Sequence, residues 1–295
     1  MSRILVMAAV ALTAAGTSAP ALAADRLYAC GDDQVREYRI DGTAATEVWR
    51  WTAAAARDLP AAYRAKLLAH IDDCKPVDGG RAILVTASTG GVVLIDRAKG
   101  RVTFRAVAPM AHSADVLPDG RIAVALSIHD KGDRLQIYDR ARDETPLTQV
   151  PLPSGHGAVW DKDRGQLLAL SHDLIQAFTV GGTRAAPTLT EATRWTLPGR
   201  RDGHDLSRRA DGRYLVTTDD GVWTFDPKAG SFTAVAALNP KLRVKAVSAR
   251  NDRLAWVQAE ESWWANGFTI ARADGGDPVR VPVTGMHLYK VRWIR

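Results

Sequence analysis

Cysteine is scarce in this chain of 295 residues, which holds only Cys30 and Cys74. They stand too far apart for the close ligand spacing of zinc motifs. In an oxidising compartment an even pair points to a disulfide before a metal or redox centre. A Cys30–Cys74 bridge would close a loop of about 44 residues; two free thiols are the alternative. Long apolar runs are missing as well. Beyond the first residues no segment reaches the ~20 apolar residues that span a bilayer, so no membrane insertion is expected. The formal charge is only +6, with lysine and arginine interspersed among aspartate and glutamate. A nucleic-acid protein would carry a basic stripe or tail, and that partner class is set aside. Also absent are the G-x-S-x-G, P-loop, G-x-G-x-x-G, H-E-x-x-H and EF-hand patterns, and with them the chemistries they serve.

Residues 1–23 read as an export signal. Arg3 gives a positive start, residues 4–15 are apolar, and Ala21-Leu22-Ala23 matches the small-x-small cleavage pattern. Cleavage before Ala24 would leave residues 24–295 as a periplasmic or secreted protein. Its charge falls to +5 once Arg3 leaves.

The chain then repeats itself. His112, His156, His204 and Lys245 each lie seven positions before an aspartate in a turn: Asp119, Asp163, Asp211 and Asp252. Around these marks, alternating β-branched and aromatic segments end in D-G, G-G or N-D turns, four segments to a unit. Residues 72–107, 155–198, 202–239 and 242–284 each make one such unit, and another starts at Ala111. Four antiparallel strands make a propeller blade, so five blades are complete. The C-terminal segment L-Y-K-V-R-W-I and three N-terminal segments supply the sixth. The expected fold is all-β, a single six-bladed β-propeller closed by its C-terminal inner strand, with no free sheet edge at the seam. Residues 52–69 form the one helical insert, read as a surface helix filling a blade junction, with a lid over one mouth as the alternative.

Aligned on their turns, the six inner strands bring Asp72, His112, His156, His204, Lys245 and Lys290 to equivalent places. Nitrogen groups converging at one depth repel unless an anion, water or a metal compensates. A competing reading is structural: WD-class propellers bury a Gly-His histidine as a hydrogen-bonder, and Gly155-His156 and Gly203-His204 look alike. Here, however, the histidine opens the inner strand, and no blade ends in Trp-Asp. Strand alternation opposes Tyr289 and Lys290 both facing the channel, which favours the lysine. Five further residues are candidates for ligand contact. Trp263 and Trp264 in a polar loop suit sugar stacking or, equally, a blade interface. Arg201 could meet a carboxylate or sulfate, or simply be solvated. His287 and Tyr289 lie near the same mouth.

A channel of histidine and lysine lacks the oxygen ligands calcium needs. It suits an anionic ligand, and in an exported protein an acidic carbohydrate. Cleavage by β-elimination would need a group to neutralise the carboxylate, a base and an acid. Lys245 or Lys290 fits the first role, and two of His112, His156 and His204 fit the others. No cofactor is required, although the three histidines could instead hold a divalent transition metal. The alternative function is a non-catalytic ligand- or protein-binding scaffold, and a monomer is expected.

The segments A-H-S-A-D-V-L-P-D-G-R, G-H-G-A-V-W-D, G-H-D-L-S, V-K-A-V-S, W-V-Q-A-E, S-W-W and Y-K-V-R-W resemble an uncharacterised family of exported bacterial six-bladed propellers. The resemblance covers essentially all of residues 24–295 and implies the fold rather than an activity. The histidine and lysine arrangement is also similar to propeller-fold polysaccharide lyases, some of which use channel histidines with a metal. Those have seven blades, and no motif of theirs matches residue by residue.

Overall fold

The computed structural model describes residues 25–199 and 202–294; the leader expected at residues 1–23 lies outside them. Six four-stranded antiparallel sheets stand around one axis. Blade 1 is composite, running outward from Leu288–Trp293 through Asp25–Gly31 and Gln34–Asp41 to Ala44–Thr52. The other five follow chain order, with inner strands Ile71–Val77, Ala111–Val116, Gly157–Asp161, Asp205–Arg208 and Val244–Arg250.

Position within a blade explains the composition of each strand. Second and third strands are sandwiched between neighbouring blades, and Ala82–Ala87 is buried along its whole length as A-I-L-V-T-A. Such strands read as continuous apolar runs because both faces are covered. The outermost strands face water on one side, and Ala44–Thr52 alternates accordingly. The core is therefore distributed between blades. At the first junction Tyr28 and Val35 of blade 1 pack with Ile71, Ile83 and Val85 of blade 2.

The seam closes as the repeat count requires. The C-terminal strand pairs antiparallel with the first strand, Leu27 opposite Trp293 and Cys30 opposite Lys290. Cys30 is bonded to Cys74, the inner strand of blade 2, with Cα atoms 6.2 Å apart. The disulfide thus ties the composite blade to its neighbour. Among the described residues no helix is long and apolar enough to cross a membrane.

The insert is less helical than its alanine-rich sequence suggests. Only Tyr63–Leu67 forms a helical turn, of the wide π type. Upstream, Ala56 and Leu59 each donate a backbone N–H to the residue three positions back. Ala53, Ala56, Leu59 and Tyr63 then bury into the junction of blades 1 and 2, so packing sets this segment and helix propensity does not. The Tyr63 hydroxyl donates to Glu144 at 2.7 Å.

Replacing Cys30 and Cys74 together by serine is expected to lower unfolding free energy in urea by about 2–4 kcal/mol, since the bridge restrains the unfolded chain. An unchanged denaturation midpoint would show that the junction packing alone secures the seam.

Candidate functional site

One backbone device builds the site. In four inner strands an extra residue interrupts the register just after the strand begins: Asp72, His112, Lys245 and Tyr289. In blade 5 the same two-against-one arrangement holds, for Asp205 pairs with Thr217 while His204 donates its N–H to the Thr217 carbonyl. In blade 4 Gly157 pairs with Leu170 and His156 donates its N–H to the Leu170 carbonyl. A bulge re-aims the extra side chain, here toward the axis. The ring is therefore Asp72, His112, His156, His204, Lys245 and Tyr289. The glycines of the Gly-His pairs permit it. A Cβ on Gly155 would meet the Leu126 carbonyl oxygen at 2.8 Å, and one on Gly203 the Leu170 side chain at 2.7 Å. Small residues let the strand start press on the previous blade while the histidine turns inward.

Two positions before the ring residue the backbone is left-handed at Met110, Ser154, Asp202 and Arg243. For two histidines this has a direct use. Nδ1 of His112 lies 3.0 Å from the Met110 carbonyl oxygen and Nδ1 of His156 lies 2.9 Å from that of Ser154. A carbonyl only accepts, so each Nδ1 carries a proton. The rings touch in sequence, His112 to His156 at 4.4 Å and His156 to His204 at 5.7 Å between centroids. Burial, followed by the neighbouring His112 and His204, holds His156 well below the usual imidazole pKa. His204 is lowered by burial and then by Lys245. Its Nε2 stands 3.0 Å from Lys245 Nζ and 3.0 Å from Asp219 Oδ1. Its Nδ1 is buried without a hydrogen-bond partner. Asp72 Oδ1 is 3.8 Å from His112 Nε2, and burial raises its carboxyl pKa. Tyr289 lies 6.4 Å from His112 and 5.7 Å from Trp263 between ring centroids.

Below the ring the channel is filled by ions. The Arg292 guanidinium spans two carboxylates, donating from Nε to Asp73 at 2.8 Å and from NH1 to Asp205 at 2.7 Å. Lys290 Nζ donates to Asp205 at 3.3 Å and to the His204 carbonyl at 3.2 Å. Ser113 donates to Asp73 at 3.2 Å, and Lys75 Nζ donates to the Ala158 carbonyl at 2.6 Å. Arg292 and Lys290 are the larger opposing influences on both carboxylates, which stay below their ordinary pKa although burial pushes them up.

Two expectations need correction here. Lys290 is not in the ring; Tyr289 holds that position, and Lys290 points one step deeper to Asp205. Alternation failed because the bulge puts two successive side chains on the channel side, as it does for Asp72 and Asp73. Trp263 is brought to the mouth, whereas Trp264 packs against His287 at 4.0 Å. His287 is half exposed and pairs with Asp32, away from the ring. Arg201 lies outside the described residues. Sequence reading missed Asp73, Asp205 and the bridging role of Arg292. The signal was available as positions one and three beyond each ring residue, where Asp73, Asp205, Lys290, Lys75 and Arg292 recur.

The profile of a family of unknown function, DUF6528, matches residues 23–295, nearly the whole chain. The chain belongs to this family. No curated protein matches it. The chemistry of this DUF6528 member therefore rests on the site itself.

Asp202, His204 and Asp219 bring one ligand atom each within 4.8 Å of the others. Lys245 already stands against His204 there, and its ammonium opposes a cation at that spot. His112 and His156 have no ammonium at hydrogen-bond distance, but together with Asp72 they do not bring three ligand atoms within 4.8 Å of one another.

The lowered pKa of His156 sets a pH dependence. Unfolding lets its imidazole take up a proton that the folded protein refuses, so this stability is complete above about pH 6.5 and is lost as pH falls below it. Between about pH 7.5 and 5.5 unfolding is expected to become easier, and His156→Asn should remove about one proton from the slope. Asp72 opposes the trend at the acid end, because the folded state keeps a proton that the unfolded chain releases. A slope unchanged by His156→Asn would contradict a neutral, buried imidazole.

Proposed function

We propose that this propeller binds an acidic saccharide at the imidazole mouth, anchored by a divalent transition-metal ion held by His112 and His156. The reading is carried by the two Nδ1 hydrogen bonds to the Met110 and Ser154 carbonyls. Metal-ligating histidines commonly donate the other ring N–H in this way, which fixes tautomer and orientation. Imidazole with carboxylate suits zinc, copper and related ions. A divalent ion brings positive charge to the mouth and gives the sugar carboxylate a ligand position.

The remaining residues fit this ligand. Trp263 is partly exposed and offers an aromatic face beside Tyr289. On a uronide, a neutral His204 would take the proton next to the carboxylate and the Tyr289 hydroxyl would protonate the departing oxygen, a β-elimination. The buried disulfide fits an exported protein in an oxidising compartment.

A non-catalytic scaffold is favoured by a different observation: the six ring side chains are at most 9% exposed. That reading expects His112→Ala combined with His204→Ala to leave partner binding intact.

Elemental analysis of the purified protein is expected to find about one equivalent of transition metal, lost in His156→Ala. A metal-free wild type, or a variant that keeps its metal, would remove the metal anchor. Incubation with a panel of polyuronates should raise ultraviolet absorbance from unsaturated chain ends. Silence on all of them would remove the elimination step.

A further inference from the structure

The opposite mouth of the channel holds a cavity of about 580 Å³, within the range of small-molecule sites. It opens where the inner strands enter their first turns, and every blade contributes to its wall: Arg292, Lys75, Asp115, Lys162, Arg208 and Ser248. Their charges are not equally engaged. Arg292 is held by Asp73 and Asp205, and Arg208 pairs with Asp163. Asp115 accepts backbone N–H groups from Val116 and Trp160 at 2.9 and 2.7 Å.

The two lysines differ from these. Lys75 is buried, yet its ammonium makes one hydrogen bond, to the Ala158 carbonyl. Its nearest carboxylate, Asp73, is 4.0 Å away. Lys162 is exposed at the rim, and no salt bridge to it is seen among the described residues. A buried ammonium short of partners is costly, and an anion entering this cavity would meet one lysine at its floor and another at its edge. Hydroxyl partners are also present. Ser248 Oγ accepts from the Trp293 N–H at 3.0 Å and keeps its own proton to donate. Ser207 donates to the Val247 carbonyl, which leaves its lone pairs available. Trp160 lines the same cavity and is partly exposed.

We propose that this second mouth is a ligand site for a small polyhydroxylated carboxylate of sugar-acid size, its carboxylate on Lys75 and Lys162 and its hydroxyls on Asp115, Ser207 and Ser248. The site is separate from the imidazole mouth, because the Arg292 network fills the channel between them. It requires neither a metal nor catalysis.

Isothermal titration of the intact protein with glucuronate and galacturonate tests it, with glucose and inorganic phosphate as controls. At least one sugar acid is expected to bind, with glucose at least about tenfold weaker. Lys162→Glu should weaken that binding at least about fivefold, and Lys75→Met should abolish it. Should Lys75→Met fail to fold, the rim variant decides. His156→Ala, which disables the imidazole mouth, should leave in place the component of sugar-acid binding that Lys162→Glu weakens, which keeps the two mouths distinguishable. The proposal is overturned if neither sugar acid binds, if phosphate binds as tightly as they do, or if Lys162→Glu leaves the affinity unchanged.

Discussion

The buried bridge from Arg292 to Asp73 and Asp205 is the interaction on which the centre of this propeller depends. It joins the C-terminal inner strand to blades 2 and 5 across the axis, so the last strand of the chain is held by charge as well as by its sheet. Removing one member would leave an uncompensated buried charge, at a cost of about 3–5 kcal/mol. The bridge also divides the channel. With Arg292, Lys290 and Lys75 filling its middle, two mouths of different character remain, one closed and lined by imidazoles, the other open, with Lys75 at its floor and Lys162 at its edge.

That division explains why cationic residues near the axis do not add up to a cationic mouth. Lys290 is fully buried against Asp205, and Lys245 stands beside His204 with Asp219 across the same nitrogen. Burial lowers Lys245 as well, despite Asp219 and Asp202 acting to raise it. What the imidazole mouth presents is mainly imidazole nitrogen and carboxyl oxygen, which is why the function proposed for it includes a metal ion.

Much of this architecture was legible before any coordinates. The spacing from histidine to turn aspartate located the inner strands, and the leftover strands at the two termini identified the composite blade. The ring was legible at Asp72, His112, His156, His204 and Lys245. It failed at Tyr289, because strict alternation assigns one of two neighbours to the channel, whereas a bulge admits both. The ion bridge was missed for a related reason: Asp73 and Asp205 follow ring residues immediately and read as facing away. The insert was overread as helix since its alanines look like helix formers, while Ala53, Ala56 and Leu59 are spaced to fill a blade junction through a series of turns.

The central claim is that the left-handed residues before the ring fix a proton on Nδ1 of His112 and His156, with the buried His156 neutral and its Nε2 offered to a ligand. Nitrogen-15 correlation spectra of the histidine rings in metal-free protein test it most directly. The account predicts a proton on Nδ1 of both rings, with His156 still neutral as the pH passes below about 6.5. An Nε2–H tautomer at either residue, or an imidazolium at His156 near pH 6.5, would contradict it.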